Sequence, residues 1–116
     1  MAIPELLKIS ATRAVETYCA GRISPHARDQ IRLEAVVRGD AITINERRPP
    51  WREGYGTDWS TSKIARLLYD PSASTWTLSW ADRNGRWLAY PPAPPATNVE
   101  TLLAAIEADT SGAFYG

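Results

Sequence analysis

The chain has 116 residues, and its 13 basic and 13 acidic side chains give a formal net charge of zero. This length suits one domain over residues 1–116, and the balanced charge excludes a global field that attracts nucleic acid or anionic lipid. One cysteine and one histidine exclude an intrachain disulfide and are too few for a structural zinc site, so we expect no metal and no cofactor.

The first predicted helix runs from Glu5 to about Ala20. Pro4 fits its start, because a proline there loses no hydrogen bond. Gly21 suits a left-handed C-cap that ends the helix. The apolar residues recur at helical spacing and predict an amphipathic helix packed on a core: Leu7, Ala11, Ala14, Val15, Tyr18 and Cys19. This position favours Cys19 as a small buried side chain over a nucleophile.

Three strands are predicted in the middle of the chain. Ile31–Arg38 and Ala41–Arg47 alternate apolar and polar residues, with a turn at Gly39-Asp40, and predict two half-buried strands. Lys63–Tyr69 is apolar at both alternating sets of positions, which is typical of a central strand covered on both faces.

The stretch from Arg48 to about Thr61 predicts a long irregular loop, since its prolines and glycines exclude regular structure through most of it. Trp51, Tyr55 and Trp59 are its apolar anchors. We expect a partly ordered loop lying over the sheet.

Ser74–Pro91 predicts a tryptophan-rich hairpin at the middle of the sheet. Trp76 and Trp80 alternate with polar residues in its first strand, and Trp87 lies in its second. Asn84-Gly85 predicts a type I′ turn between them.

The C-terminal part predicts a connector, a helix and a tail. Pro91–Pro95 is expected to be extended and to act as a stiff connector that packs on a neighbouring ring. Thr97–Glu100 has the spacing of a capping box at the start of a helix, which ends before Gly112. The apolar tail Ala113–Tyr115 is expected to fold back on the core.

The order of these elements predicts an α+β fold. We expect a five-stranded antiparallel meander sheet flanked by an N-terminal and a C-terminal helix, with both helices on one face of the sheet.

Four strings of the sequence are found in the same order in one family. They are PHARDQIRL (Pro25–Leu33), ERRPPW (Glu46–Trp51), WTLSWADRNGRW (Trp76–Trp87) and the Phe114-x-Gly116 ending. Over nearly its whole length the chain resembles the small bacterial domain-of-unknown-function family 3024. The resemblance implies a small stand-alone bacterial protein, and it brings no activity, ligand or catalytic residue with it.

Catalytic patterns are weak in this sequence. His26 with Asp29 could form an oriented base, but this spacing in a loop is common by chance and a surface histidine is favoured. The carboxylates lack the spacing of a calcium loop, and no glycine-rich loop leads from a strand into a helix. The sequence therefore favours a protein that is not an enzyme, with a small enzyme that uses His26 as an alternative.

Arginines interleaved with aromatic residues are a stronger signal. They predict an interaction module whose surface combines the Arg47–Trp59 loop with the Arg83–Arg86 turn. The candidate binding residues are Arg47, Arg48, Trp51, Arg52, Trp59, Arg83 and Arg86.

Three kinds of partner fit this surface. The first is a protein or peptide, and the alternative is single-stranded nucleic acid, because rings stack on bases and arginine pairs with phosphates. A homodimer formed through a strand edge or a tryptophan patch is also open. A plain alternative is that the tryptophans are core and the arginines a solvated rim.

The first residues lack the features of a signal peptide and no apolar run could span a bilayer, so we expect a cytoplasmic protein and no membrane partner.

Overall fold

The computed structural model describes residues 3–27, 29–50 and 59–115. The strands form one antiparallel sheet in the order β1-β2-β3-β4-β5. The predicted α+β fold, with a helix before and a helix after a five-stranded meander, is confirmed. Besides a short 3-10 helix at Pro25–Ala27, the elements are α1 (Glu5–Arg22), β1 (Arg32–Arg38), β2 (Ala41–Arg48), β3 (Ser60–Asp70), β4 (Thr75–Ala81), β5 (Trp87–Ala89) and α2 (Val99–Ala108).

Both helices lie on one face of the sheet, which we call the covered face. α1 contacts β1 and β2, α2 contacts β3 and β4, and the helices contact each other. Alternate strand residues point to this face and join the helices in one apolar core, because a strand sends successive side chains to opposite faces. The largest fully buried side chains of that core are Val15, Ile42, Ile44, Leu67, Trp76, Leu102 and Ile106. The opposite face, on which no helix packs within the described part of the chain, we call the open face.

The first helix forms as predicted but ends two residues later. Gly21 lies inside α1, and its φ is not positive. The helix ends at Arg22, and its C-cap Ile23 is extended at φ −108° and ψ 125°. Pro25 explains this end, because the residue before a proline is disfavoured in helical conformation. The prediction of Gly21 as a left-handed C-cap is therefore wrong.

The N-cap of the second helix lies one residue after the predicted cap. The Oδ1 atom of Asn98 accepts hydrogen bonds from the Thr101 backbone N–H at 3.0 Å and from its hydroxyl at 2.9 Å. Asn98 is the N-cap, so the capping box that assigned this role to Thr97 is wrong. An asparagine at this position satisfies a free N–H of the first turn as well as threonine would.

The C-terminal tail folds back on the core, as predicted. Asp109 ends α2 in left-handed conformation, at φ 43°, and α2 thus ends before Gly112. Its carboxylate accepts hydrogen bonds from the N–H groups of Phe114 at 3.1 Å and Tyr115 at 2.8 Å. The buried ring of Phe114 lies 4.8 Å from the ring of Tyr90, centre to centre.

The third strand is not covered on both faces by helices. Ile44 pairs with Ala65 and Asn45 with Lys63, so Ile64 is an extra residue in a β-bulge. Two consecutive residues, Ile64 and Ala65, are buried for this reason. The bulge explains the burial of Ile64, whereas Leu68 is half-buried on the open face in regular register with Thr77. The loop predicted to lie over that face falls outside the described residues, so the interpretation as a doubly covered strand stays a prediction.

The tryptophan hairpin lies at one edge of the sheet, with β5 as the last strand, so its predicted place at the middle is wrong. Its turn also differs from the predicted type I′ turn. Gly85 has a φ of 77°, whereas Asn84 has no positive φ, and a type I′ turn needs positive φ at both central residues. The Gly85 N–H donates to the Asp82 carbonyl at 2.9 Å, and the Asp82 N–H donates to the Arg86 carbonyl at 2.9 Å. The turn is therefore a longer loop closed by a left-handed glycine.

The proline-rich connector begins with a turn. The Ala93 N–H donates to the Tyr90 carbonyl at 3.2 Å, so the prediction of an extended run from its first residue is wrong. Ala93 packs against the core, and Ala96 pairs with Trp76 beyond the end of β5. The run thus connects β5 to the Ala96–Trp76 pair at the start of β4, and its packing on a neighbouring ring remains a prediction.

Candidate functional site

The open face carries most of the sheet's charge. The register between strands places its side chains in rows, and the covered face takes the alternate set. Two acidic residues lie on it, Glu34 and, at the end of β3, Asp70. The basic residues outnumber them in a chain of zero net charge, and they are Arg32, Arg38, Arg47, Lys63 and Arg66.

The β3 bulge brings two of these cations to one ring. In a regular strand Lys63 and Arg66 would point to opposite faces, because they are three residues apart. The extra residue at Ile64 places both on the open face. The Lys63 Nζ atom lies 5.5 Å and the Arg66 Cζ atom 5.3 Å from the centre of the Trp87 ring. A half-buried tryptophan thus holds two cations by cation–π contact.

A second group of ring and charges lies where β1, β2 and β3 meet. The Arg32 Cζ atom lies 4.3 Å from the centre of the Trp59 ring, just before β3. Arg47, which pairs with Arg32 across the strands, donates from Nη1 to Glu34 Oε1 at 3.4 Å. One ring, two arginines and one carboxylate thus lie together at this corner of the sheet.

Three polar atoms in and between the two ring groups lack hydrogen-bond partners. Asn45 Oδ1, Arg47 Nε and Arg66 Nε are inaccessible to solvent and form no hydrogen bond within the described residues. Buried polar atoms are usually paired in folded proteins, because an unpaired one costs about 1–3 kcal/mol. The open face therefore keeps one acceptor and two donors unpaired.

The structure separates the residues predicted as the site. Arg47 and Trp59 lie on the open face. Arg48 lies on the other side of the sheet, where its Nε contacts Glu46 Oε1 at 2.7 Å. Trp51 and Arg52 lie outside the described residues, as does residue range 51–58, so the expected loop over the sheet remains a prediction.

The predicted arginines of the hairpin turn are exposed at its tip. Arg83 lines a depression with Lys63, and Arg86 lies 3.8 Å from Asp82. This tip adjoins the open face beside the Trp87 group.

Sequence reasoning missed the cations that lie within the strands, namely Arg32, Arg38, Lys63 and Arg66. The alternation in β1 and β2 already placed Arg32, Arg38 and Arg47 on one face of the predicted sheet. The bulge that turns Lys63 and Arg66 to the same face leaves no comparable pattern in the sequence.

Two tyrosines and two charged residues form a titratable group on the covered side. Burial raises the pKa of Tyr18 above its ordinary range, and the contacts of Tyr18 with Tyr115 and Glu107 raise this pKa further. The Tyr18 hydroxyl lies 2.9 Å from Glu107 and 2.6 Å from the Tyr115 hydroxyl. Burial also raises the pKa of Tyr115, so both phenols stay protonated at neutral pH. Arg22, 4.4 Å from the Tyr115 ring, completes a group that ties α1 to the tail.

His26 and Cys19 are the histidine and the cysteine of the chain, and they lie in different surroundings. His26 is exposed on the 3-10 helix. Cys19 is buried, and this burial raises the pKa of its thiol to about 12. Within the described residues, no group of three or more His, Cys, Asp or Glu side chains could hold a metal ion. Nor is any described helix long and apolar enough to cross a bilayer.

Comparison with family models covers nearly the whole chain. The model described as "Domain of unknown function (DUF3024)" matches residues 3–116. The chain belongs to the DUF3024 family. No curated protein and no solved structure matches this DUF3024 chain. Its function must therefore be inferred from the geometry of its own surface.

Proposed function

We propose that the protein is a non-enzymatic interaction module that binds single-stranded nucleic acid through the open face of its sheet. The observation that carries the proposal is the concentration of five cations and two tryptophan rings on that face of a chain without net charge. The rest of the chain therefore has more acidic than basic residues and does not attract nucleic acid, so binding would be local to this face.

The chemistry of the face suits an unpaired strand. Guanidinium and ammonium groups pair with phosphates, and bases stack on aromatic rings and on guanidinium planes. The Arg32–Trp59 group and the Lys63–Arg66–Trp87 group offer such surfaces at two places on the sheet. A β-sheet that presents rings and basic side chains is a platform used by RNA-binding modules.

A salt titration tests the proposal. A labelled single-stranded oligonucleotide pool is mixed with the protein at several salt concentrations, and binding is followed by fluorescence anisotropy. The variant Lys63→Ala/Arg66→Ala should weaken binding and, if both cations contact phosphates, lower the slope of log K against log salt by about 1.4. The matched control is Lys8→Ala/Arg13→Ala on α1, which removes the same two kinds of charge and should leave binding unchanged.

A protein or peptide partner is the outcome that would replace this proposal. Polyglutamate serves as the comparison ligand, because it is acidic but has no bases to stack. Binding to polyglutamate as tight as binding to the oligonucleotides, or no oligonucleotide binding at low salt, would contradict the nucleic-acid proposal. A cytoplasmic location remains a prediction, and the single cysteine fits a reducing compartment.

A further inference from the structure

Strand β1 is an edge strand with an open outer side. It has seven residues, contains no proline or glycine, and pairs with β2 without a bulge. Within the described part of the chain, no strand lies on its other side. Natural edge strands commonly avoid such a regular free edge, because its unpaired N–H and C=O groups can pair with another chain.

The hairpin that joins β1 to β2 decides which backbone groups point outward. Arg38 pairs with Ala41 around the two-residue turn, in which Gly39 has a φ of 56°. The residue that closes such a turn directs its backbone groups to its partner strand, and the direction then alternates along the strand. The backbone groups of Ala35 and Val37 are therefore directed away from β2.

We propose that a second copy of this chain pairs with β1 by antiparallel β1–β1 pairing about a two-fold axis at Val36. In this register Ala35 lies opposite Val37 of the second copy, so the outward backbone groups of both are hydrogen-bonded. Glu34 lies opposite Arg38 of the second copy, and the symmetry repeats this charge pair. The proposal does not rest on nucleic-acid binding.

Charge complementarity selects this register. A two-fold axis at Ala35 would place Arg32 opposite Arg38 of the second copy, and an axis at Glu34 would place this carboxylate opposite its own copy. Like charges directly opposite in a sheet are destabilising. Axes nearer either end pair at most three strand residues, whereas the axis at Val36 pairs the five residues 34–38.

The helix beside β1 has apolar groups that a second copy would cover. Leu6 is 84% exposed and Ile9 is 48% exposed on α1. Ile9 lines a depression together with Val37 of β1 and Thr12, whose hydroxyl oxygen is buried without a partner within the described residues. Ile9 and Thr12 thus lie beside Val37, one strand residue from the proposed axis, so pairing of the strands would bring the two copies of α1 together.

Charge-swapped variants test the register. Arg38→Glu alone places two glutamates opposite each other, and Glu34→Arg alone places two arginines opposite each other, in each half of the homodimer. Mixing the two variants restores an opposite charge at both positions of a heterodimer. Sedimentation equilibrium over a roughly hundredfold range of concentration measures the mass, since dimers gain population with concentration.

The proposal expects a wild-type mass that reaches twice the chain mass of 12.8 kDa, a monomer for each variant, and a dimer for their mixture. Circular dichroism establishes that each variant is folded before its mass is interpreted. A monomeric wild-type protein at the highest concentration would overturn the proposal. A stronger dimer of the Arg38→Glu variant would also overturn it, because the axis at Ala35 predicts this result. A mixture of the two variants that stays monomeric would overturn it as well.

Discussion

The two faces of the sheet use the same strands for different purposes. On the covered face Ile42, Ile44 and Leu67 are fully buried against the helices. Their neighbours Thr43 and Arg66, which face each other across the strands, point to the open face. The first set stabilises the fold by removing apolar area from water, whereas the second places polar and charged side chains on the opposite face. Stability and the proposed binding thus belong to alternate residues of one sheet.

The largest expected effect is on the free energy of unfolding, when a tryptophan of the covered face and one of the open face are each replaced by alanine. Trp76 is fully buried, and Trp76→Ala should lower the free energy of unfolding by about 3–5 kcal/mol. Trp87 lies half-buried under two cations, and Trp87→Ala should cost about 1 kcal/mol. Urea unfolding followed by circular dichroism measures both. Equal losses would show that the open-face ring belongs to the core.

An alkaline pH titration examines the covered side. The pKa of Cys19 is raised to about 12 from 9.0 because burial disfavours the thiolate, as do, less strongly, the charges of Glu16 and Glu34. The unfolded chain loses this proton first, so the stability contribution is complete below pH 9 and is lost as the pH rises toward about 12. Tyr18 and Tyr115 act in the same direction.

Unfolding midpoints measured at several alkaline pH values should therefore fall as the pH rises. Cys19→Ala is the control variant, and its stability should depend less steeply on pH. A thiol that reacts with an alkylating reagent in the folded protein as fast as in urea would contradict the burial of Cys19.

A smaller effect is expected where α2 begins above the covered face. Asn98→Ala removes the acceptor of the Thr101 N–H and should cost about 1 kcal/mol. Thr97→Ala is the matched control and should change the free energy of unfolding by less than about 0.5 kcal/mol. The reverse order of the two losses in urea unfolding would restore the capping box predicted from the sequence.

The smallest effect is expected at the tip of the hairpin, beside the open face. The exposed Arg86 lies 3.8 Å from Asp82, and exposed ion pairs contribute about 0–1 kcal/mol. Arg86→Ala should leave the urea midpoint almost unchanged. Asp82→Ala should cost more, because its carboxylate also accepts hydrogen bonds from the Asn84 and Arg86 N–H groups. Equal effects would show that these turn contacts contribute little.

Periodicity predicted the fold because it depends on many residues at once. The alternation in β1 and β2 and the helical spacing from Leu7 to Cys19 each involve several side chains, so one exception does not change the result. Local details failed where two conformations of similar free energy compete, as at the Asn84-Gly85 turn and the start of α2. Threonine and asparagine both cap helices, and the capping-box spacing alone does not distinguish between them.

The candidate site was harder to predict because it depends on how strands pair. Arg47 and Arg48 are neighbours in sequence and were assigned to one surface, yet strand alternation sends them to opposite faces. Lys63 and Arg66 were missed, since only the bulge at Ile64 aligns them. Sequence proximity groups residues of a loop, whereas in a sheet it separates them.

The most direct test of the open face uses those two neighbouring arginines. Arg47→Ala and Arg48→Ala remove the same side chain from adjacent positions, and anisotropy measures the affinity of each variant for the oligonucleotide pool at low salt. If the open face binds the strand, Arg47→Ala should weaken binding while Arg48→Ala leaves it near the wild-type value, with both variants folded by circular dichroism. Equal losses, or a loss only for Arg48→Ala, would contradict the assignment of binding to the open face.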